Sequence, residues 1–360
     1  MKNTYMEKAL HLAEKALGRT APNPVVGAVV VNKGEIVGIG YHQKAGSFHA
    51  ERIALNDAKD KAKGADLYVT LEPCNHYGKT PPCTQAIIEA GIKNVYVSTL
   101  DPNPKVSGKG IEKLKENGIN VEVGLKEEEA KRLNEFFFKY IQTGLPFVAI
   151  KGASSLDGKI ATSLGESKWI TGEKARNHGH SLRNIYDAIM VGKNTVLSDN
   201  PSLNCRISGG RDPVRIVVDS KLSISSDANI LNLNSEAKTI IATTTSSEIT
   251  KQKELAIKAE VIVVNEGDQV NLKKLLEILA SKGITSILVE GGATLTGSLF
   301  SSNLVDKVYF YKAPLIIGGD KAKGLIGGEG FKHLDKAIKL KDLKVEPFGN
   351  DLLISAYVKG

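Results

Sequence analysis

One histidine and two cysteines are spaced in this chain as ligands for a zinc ion with one coordination position left open. His49-Ala50-Glu51 stands where a helix is expected to begin, Pro73-Cys74 follows a short apolar run, and Cys83 comes nine positions later. One imidazole and two thiolates form a three-ligand set, and the fourth position of a catalytic zinc site takes water. Water held there loses a proton near neutral pH. Glu51 is not needed as a ligand and can carry that proton to a leaving amine. A lone His or Cys is usually structural, and two Cys at this separation also suit a structural zinc clip. Such a clip needs no general base, so Glu51 argues for hydrolysis.

These residues need an α/β frame to bring them together. Residues 1–17 carry a helical pattern, with Tyr5, Met6, Ala9, Leu10, Ala13 and Leu17 on its apolar face. Residues 26–31 and 35–41, joined by Asn32-Lys33-Gly34, predict a β-hairpin. Helix is expected over 48–61, 84–90, 109–117 and 126–142, and strand over 66–71, 95–100 and 121–123. A hairpin followed by alternating helix and strand implies a three-layer α/β/α domain with a mixed sheet. Cys74 then follows a strand end, where open α/β sheets bind ligands. Cys83 opens a helix after Pro81-Pro82, a position that lowers a thiol's pKa. Gly144-Leu145-Pro146 stops the last helix, so the domain boundary is expected there, giving 1–145 and 146–360.

A second alternating pattern follows, with strands expected at 147–153, 188–192, 214–218, 239–242, 260–264, 286–290 and 307–313. Helices fit 173–184, 246–258, 271–282 and 294–301, and 338–358 predicts a final strand pair. Gly291-Gly292 lies between a strand and the helix from Thr294 onward, where backbone N–H groups suit a cofactor pyrophosphate. It is neither G-x-G-x-x-G nor a Walker A sequence, and Gly-Gly in such a place is equally a structural turn.

The chain has 360 residues, too many for one core by the usual limit of roughly 250–300. Its net charge is +8, but residues 1–145 hold 20 basic against 17 acidic residues and the remainder 28 against 23. Neither half is strongly basic, and a modest positive field suits phosphorylated small molecules. Three Cys exclude a disulfide framework. The N-terminal pattern lacks the continuous apolar stretch of a signal peptide, and no apolar run nears the ~20 residues that span a bilayer. A cytoplasmic setting is expected.

The order His-x-Glu, Pro-Cys and second Cys is similar to that of the zinc nucleobase deaminases, whose common spacing is Pro-Cys-x-x-Cys. Here eight residues separate the thiols. The segment Glu72-Pro73-Cys74-Asn75-His76-Tyr77-Gly78-Lys79-Thr80-Pro81-Pro82-Cys83 closely resembles the deaminase domain of the bacterial bifunctional deaminase/reductases of riboflavin biosynthesis. So do Pro22-Asn23-Pro24-Val25-Val26-Gly27 and Asp101-Pro102-Asn103-Pro104. The second half resembles the reductase domain of that family through residues 151–161 (KGASSLDGKIA), Lys168-Trp169-Ile170-Thr171-Gly172, Val191-Gly192-Lys193-Asn194-Thr195-Val196, Asp199-Asn200-Pro201-Ser202-Leu203 and Val289-Glu290-Gly291-Gly292-Ala293-Thr294-Leu295.

The resemblance implies a cytidine-deaminase-like first domain and a dihydrofolate-reductase-like second domain that uses NADPH. It gives His49, Cys74 and Cys83 as zinc ligands and Glu51 as the acid/base. The implied substrate is a diaminopyrimidinone bearing a phosphoribosylamino group, contacted by Asn23, His42, Lys79 and Thr80. NADPH would meet Ala153, Trp169, Thr195, Asp199, Ser220, Gly292, Ala293, Thr294, Leu295, Thr296, Gly297 and Ser298. The reductase substrate would meet Lys151, Ser167, Arg183, Leu203, Arg206 and Glu290, with Arg183 and Arg206 clamping its phosphate. Lys151, Asp199 and Glu290 are candidates to move a proton or orient the sugar. Cys205 is read as a free structural thiol, and the resemblance also implies a homo-oligomer.

Two other readings stand beside this one. A nucleic-acid-editing deaminase with an appended RNA-binding domain calls for a basic face interleaved with aromatics, yet residues 146–360 hold the single Trp and no such stripe. A zinc-stabilised binding module without activity has no use for Glu51.

Overall fold

A computed structural model describes residues 1–77, 81–104 and 106–359. The chain forms two compact units, Met1–Leu145 and Pro146–Gly360. In the first, α1 (Lys2–Glu14) leads into β1 (Gly27–Asn32), β2 (Glu35–Tyr41), α2 (Ala50–Ala58) and β3 (Asp66–Leu71). Then come α3 (Cys83–Glu89), β4 (Asn94–Thr99), α4 (Lys109–Glu116), β5 (Asn120–Val123), α5 (Glu127–Leu133) and α6 (Glu135–Thr143). The sheet order is β2-β1-β3-β4-β5, antiparallel through β3 and parallel beyond it.

The period-two alternation of β1 explains the three layers. Val29 and Val31 pack with Met6 and Ala9 of α1 and Ala130 of α5 on one face. Ala28 and Val30 pack with Ala54 of α2, Ile87 of α3 and Leu114 of α4 on the other.

The helix expected over 126–142 is two helices. Asn134 leaves helical geometry (φ −106°, ψ 23°), and its buried amide brackets Val25. Its Oδ1 accepts from Val25 N at 2.9 Å, and its Nδ2 donates to Val25 O at 3.0 Å. A tertiary hydrogen-bond pair thus overrides local helix propensity, and α6 departs in a direction that brings Phe137 and Ile141 to the site cavity.

The second unit contains β6 (Phe147–Ser155), α7 (Glu173–Ile185), β7 (Ala188–Gly192), α8 (Lys193–Asp199), β8 (Val214–Val218), β9 (Thr239–Thr244) and α9 (Ile249–Leu255). It continues with β10 (Glu260–Asn265), α10 (Leu272–Ser281), β11 (Ser286–Glu290), α11 (Ala293–Ser301), β12 (Lys307–Ala313), β13 (Leu340–Phe348) and β14 (Asp351–Val358). Its strands run in the order β10-β9-β8-β7-β11-β6-β12-β14-β13. Pairing is parallel from β10 to β12 and antiparallel for the last two strands. The sequence pattern did not announce α8, a seven-residue helix with Val196 as its buried residue. Among the described residues no helix is long and apolar enough to cross a membrane.

Candidate active sites

His49 sits at the N-cap of α2 and Cys83 is the first residue of α3, while Cys74 follows the end of β3. His49 Nδ1 lies 3.5 Å from Cys74 Sγ and 3.3 Å from Cys83 Sγ, and the backbone N–H of Cys83 donates to Cys74 Sγ at 3.4 Å. The three ligand atoms lie within 4.8 Å of one another, the one such cluster among the described residues. Hydrogen bonding from Cys83 holds Cys74 down to about 4, and the same contact pushes Cys83 up. One imidazole nitrogen and two cysteine sulfurs gathered beside a cavity are a donor set that fits zinc.

Glu51, in the first turn of α2, is 3% exposed and borders the same cavity. Burial pushes its carboxyl up to about 7, so it can both take and give a proton near neutrality.

The cavity measures about 270 Å³. His42 Nδ1 donates to Phe48 O at 3.1 Å, so its Nε2 is the acceptor for Asn23 Nδ2 at 3.2 Å. Burial lowers the pKa of His42 and keeps it neutral. His76, Asp101, Asn103 and Val106 also line the cavity. Asp101 and Asn103 follow the end of β4, the parallel neighbour of β3. Their cavity role was not evident from the residues alone, although their place after a strand parallel to the ligand-bearing one was a usable signal. Lys79 and Thr80 lie outside the described residues.

In the second unit, the middle of β6, the C-terminal end of β11, the start of α11 and one side of α8 border a cleft of about 660 Å³. Lys151, Ala153, Ser167, Thr195, Asp199, Glu290, Gly292, Ala293, Thr294 and Thr296 line it. Gly291 and Gly292 have φ of 106° and 80°, values a side chain strongly disfavours, and they turn the chain from β11 into α11. A Cβ on Gly291 would come 3.3 Å from Thr195 Oγ1. The glycines therefore leave the backbone at the start of α11 open to the cleft.

Glu290 is buried at the edge of this cleft. Burial alone would raise its pKa, but Arg183 and then Lys151 overcome that and hold it at about 2. Arg183, expected to clamp the substrate phosphate, makes three hydrogen bonds within the protein. Its Nε and Nη2 donate to Glu290 at 2.7 and 2.8 Å, and its Nη1 donates to Asn204 O at 2.9 Å. Lys151 Nζ lies 3.5 Å from Glu290 Oε2. Arg206 is exposed, with Nε donating to Asn204 Oδ1 at 3.4 Å.

Several expected cofactor and substrate contacts lie away from the cleft. Trp169 is 70% exposed and stacks against Arg176, whose guanidinium carbon is 4.6 Å from the ring centroid. Ser220 turns inward instead: its Oγ accepts from Val270 N at 3.2 Å, and its carbonyl accepts from Thr243 and Thr244 hydroxyls. Gly297 and Ser298 face a separate cavity of about 520 Å³ with Phe300 and Phe310, because α11 turns them away from the cleft. Leu203 packs into the core beside Val191 and Val217, so only its backbone can meet a ligand. Leu295 is likewise buried, with its Cβ toward Gly192 and Gly292. Cys205 is a free thiol, its Sγ 3.5 Å from His180 O.

Comparison with known proteins adds independent findings. Residues 1–99 match the cytidine and deoxycytidylate deaminase zinc-binding region, and residues 146–354 match the RibD C-terminal domain. The chain is 46% identical over 360 residues to riboflavin biosynthesis protein RibD of Bacillus amyloliquefaciens, covering 100% of this chain and 97% of the relative. It is 48% identical over 352 residues to RibD of Aquifex aeolicus, covering 97% and 96%. A diaminohydroxyphosphoribosylaminopyrimidine deaminase/5-amino-6-(5-phosphoribosylamino)uracil reductase from Thermotoga maritima has a similar structure, with TM-score 0.89, 41% identity and 99% of each chain covered. RibD of Acinetobacter baumannii gives TM-score 0.89 at 37% identity, covering 100% of this chain and 99% of the other. The N-terminal fold is cytidine-deaminase-like and the C-terminal fold is that of the dihydrofolate-reductase-like RibD reductase.

Proposed function

The chain belongs to the RibD family of bifunctional deaminase/reductases in riboflavin biosynthesis, and from that membership we propose its substrate, its cofactors and the role of each site residue. The first reaction is hydrolytic deamination of 2,5-diamino-6-(5-phosphoribosylamino)pyrimidin-4(3H)-one. The second reduces the ribosyl group with NADPH, giving 5-amino-6-(5-phosphoribitylamino)uracil. The carrying observation is the convergence of His49, Cys74 and Cys83 at a cavity into which Glu51 is buried.

His49, Cys74 and Cys83 hold zinc, which when bound supplies a water molecule ionised near neutral pH. Glu51 takes a proton on a carboxylate oxygen and returns it to the departing amine. His42 is fixed as a neutral imidazole, and Asn23, having spent Nδ2 on it, keeps Oδ1 to accept from an exocyclic amine of the pyrimidine. Lys79 and Thr80 are assigned to the same substrate by family resemblance, with Lys79 toward its phosphate.

In the reductase, NADPH supplies the hydride. The backbone of Gly292, Ala293 and Thr294 and the hydroxyl of Thr195 suit its pyrophosphate, and Ala153, Asp199 and Thr296 border the same space. Glu290 orients the sugar, Lys151 is the nearest cation to it, and Ser167 and Arg206 complete the substrate contacts. Arg183 acts by holding Glu290. Family resemblance assigns Trp169, Ser220, Leu295, Gly297 and Ser298 to the same cofactor. The same reading makes the protein a self-associating cytoplasmic enzyme.

Whole-length similarity to deaminase/reductases leaves the RNA-editing reading without support. The test is to incubate zinc-loaded protein with the diaminopyrimidinone ribosylamino phosphate and follow ammonia with and without NADPH. Ammonia is expected in both cases, with NADPH consumed only after deamination. Zinc-loaded protein that gives neither signal overturns the proposal.

A further inference from the structure

We infer that Glu72 is a positioning residue of the deaminase, clipping the loop that walls the substrate cavity to the strand end that delivers Cys74. The inference rests on the deaminase reading of that cavity. Glu72 lies between β3 and Pro73-Cys74 and is 4% exposed. Its carboxylate accepts three backbone N–H groups: Asp101 at 3.3 Å and Gly108 at 3.0 Å on Oε2, and Gly110 at 2.9 Å on Oε1. Its own N–H donates to Thr99 O at 3.0 Å, continuing the β3–β4 pairing. One side chain therefore ties both ends of the connection from β4 to α4. That connection presents Asp101, Asn103 and Val106 to the cavity.

Gly110 closes the same junction from the other side. A Cβ there would lie 2.1 Å from Pro73 O, so the start of α4 rests directly on the backbone of the residue before Cys74. A buried carboxylate is costly unless satisfied, and here three charge-assisted hydrogen bonds satisfy it. Loop N–H groups could equally be satisfied by water. What the carboxylate adds is a fixed distance between the metal-ligand segment and the wall formed by the loop. Glu72 borders the cavity, but both its oxygens are turned to the loop, so it acts through Asp101 and Asn103 rather than on substrate.

The test uses the full chain and three variants: Glu72→Gln, which keeps one acceptor oxygen, Glu72→Ala, which keeps none, and Gly110→Ala, which keeps the carboxylate but wedges the junction against Pro73 O and, at 3.1 Å, against Glu72 Oε1. Zinc content, ammonia-release kinetics and thermal melting are read from each preparation, the last as the check that the first unit, Met1–Leu145, is folded. The substrate KM is expected to rise roughly tenfold for Glu72→Gln and further for Glu72→Ala, with kcat within about twofold. Gly110→Ala should move KM in the same direction, and zinc content should stay at the wild-type level throughout. An unchanged KM, or zinc lost together with kcat, overturns the inference. If neither Glu72 variant folds, Gly110→Ala decides it by the same readout. Wild-type protein that releases no ammonia brings down the deaminase reading and the inference with it, a failure distinct from that of the clip alone.

Discussion

The cavity around His49 and the cleft around Glu290 differ in what the polypeptide itself has to supply. The deaminase cavity is small, about 270 Å³, and crowded with side chains that handle protons and metal: His42, His49, His76 and Cys74 line it with Glu51, whose carboxyl burial pushes up to about 7. The reductase cleft is larger, about 660 Å³, and much of its lining is glycine, alanine and threonine. Its charged residues are arranged for constancy, with Glu290 held at about 2 between Arg183 and Lys151. Hydrolysis needs groups whose protonation changes during turnover. Hydride transfer draws its chemistry from the cofactor, and the protein contributes shape and a steady field.

Metal removal should break this contrast open most widely. A chelator is expected to abolish ammonia release and leave NADPH oxidation on pre-deaminated substrate within about twofold, since only the first unit draws on the metal. Parallel loss of both activities would contradict it. Glu51→Gln comes next: ammonia release should fall by roughly 10²–10⁴-fold with zinc content unchanged, as measured by metal analysis. Retained turnover would sink the acid/base role. On the reductase side, Glu290→Ala leaves the buried Arg183 guanidinium without its bidentate partner, and breaking such a pair costs about 3–5 kcal/mol. Thermal melting should show the second unit destabilised and the first untouched.

The same contrast accounts for what could be read from the residues alone. His49, Glu51, Cys74 and Cys83 were legible because few other roles use one imidazole, two thiols and a non-ligand carboxylate in that order. The alternation of strand and helix was legible because period-two and helical patterns specify which face is buried, and β3, β7, β8, β11 and β12 begin and end where the pattern put them. The break at Asn134 was hidden, because it depends on Val25, which is distant in sequence and adjacent only in the fold. The roles of Glu72 and Arg183 were hidden for a related reason. Each is a charged residue whose partners, the loop amides for one and Glu290 for the other, are supplied by the fold. Sites built from backbone and shape leave a faint trace: Ser220 accepts from Val270 N, and Gly297 and Ser298 border a cavity other than the cleft, relations that only the fold supplies.

The smallest expected effect bears on whether the reductase field is truly constant. Glu290 has its folded-state pKa depressed, to about 2, against an ordinary value of ~4.3. A depressed carboxyl contributes stability that is fully present above the ordinary value and is lost as pH falls from there toward 2, here about 3 kcal/mol as an order of magnitude. Wild-type NADPH oxidation on deaminated substrate should accordingly show no acidic limb from this group in the working range. Arg183→Gln removes the larger of the two cations while leaving the burial that raises the pKa, so Glu290 should begin to take up a proton as the medium is acidified. The expected outcome is an acidic limb in the variant's reductase profile where wild type is flat, with ammonia release unchanged. A flat profile in the variant would mean that Lys151 alone holds Glu290 ionised, and Arg183 would then be left with a packing role.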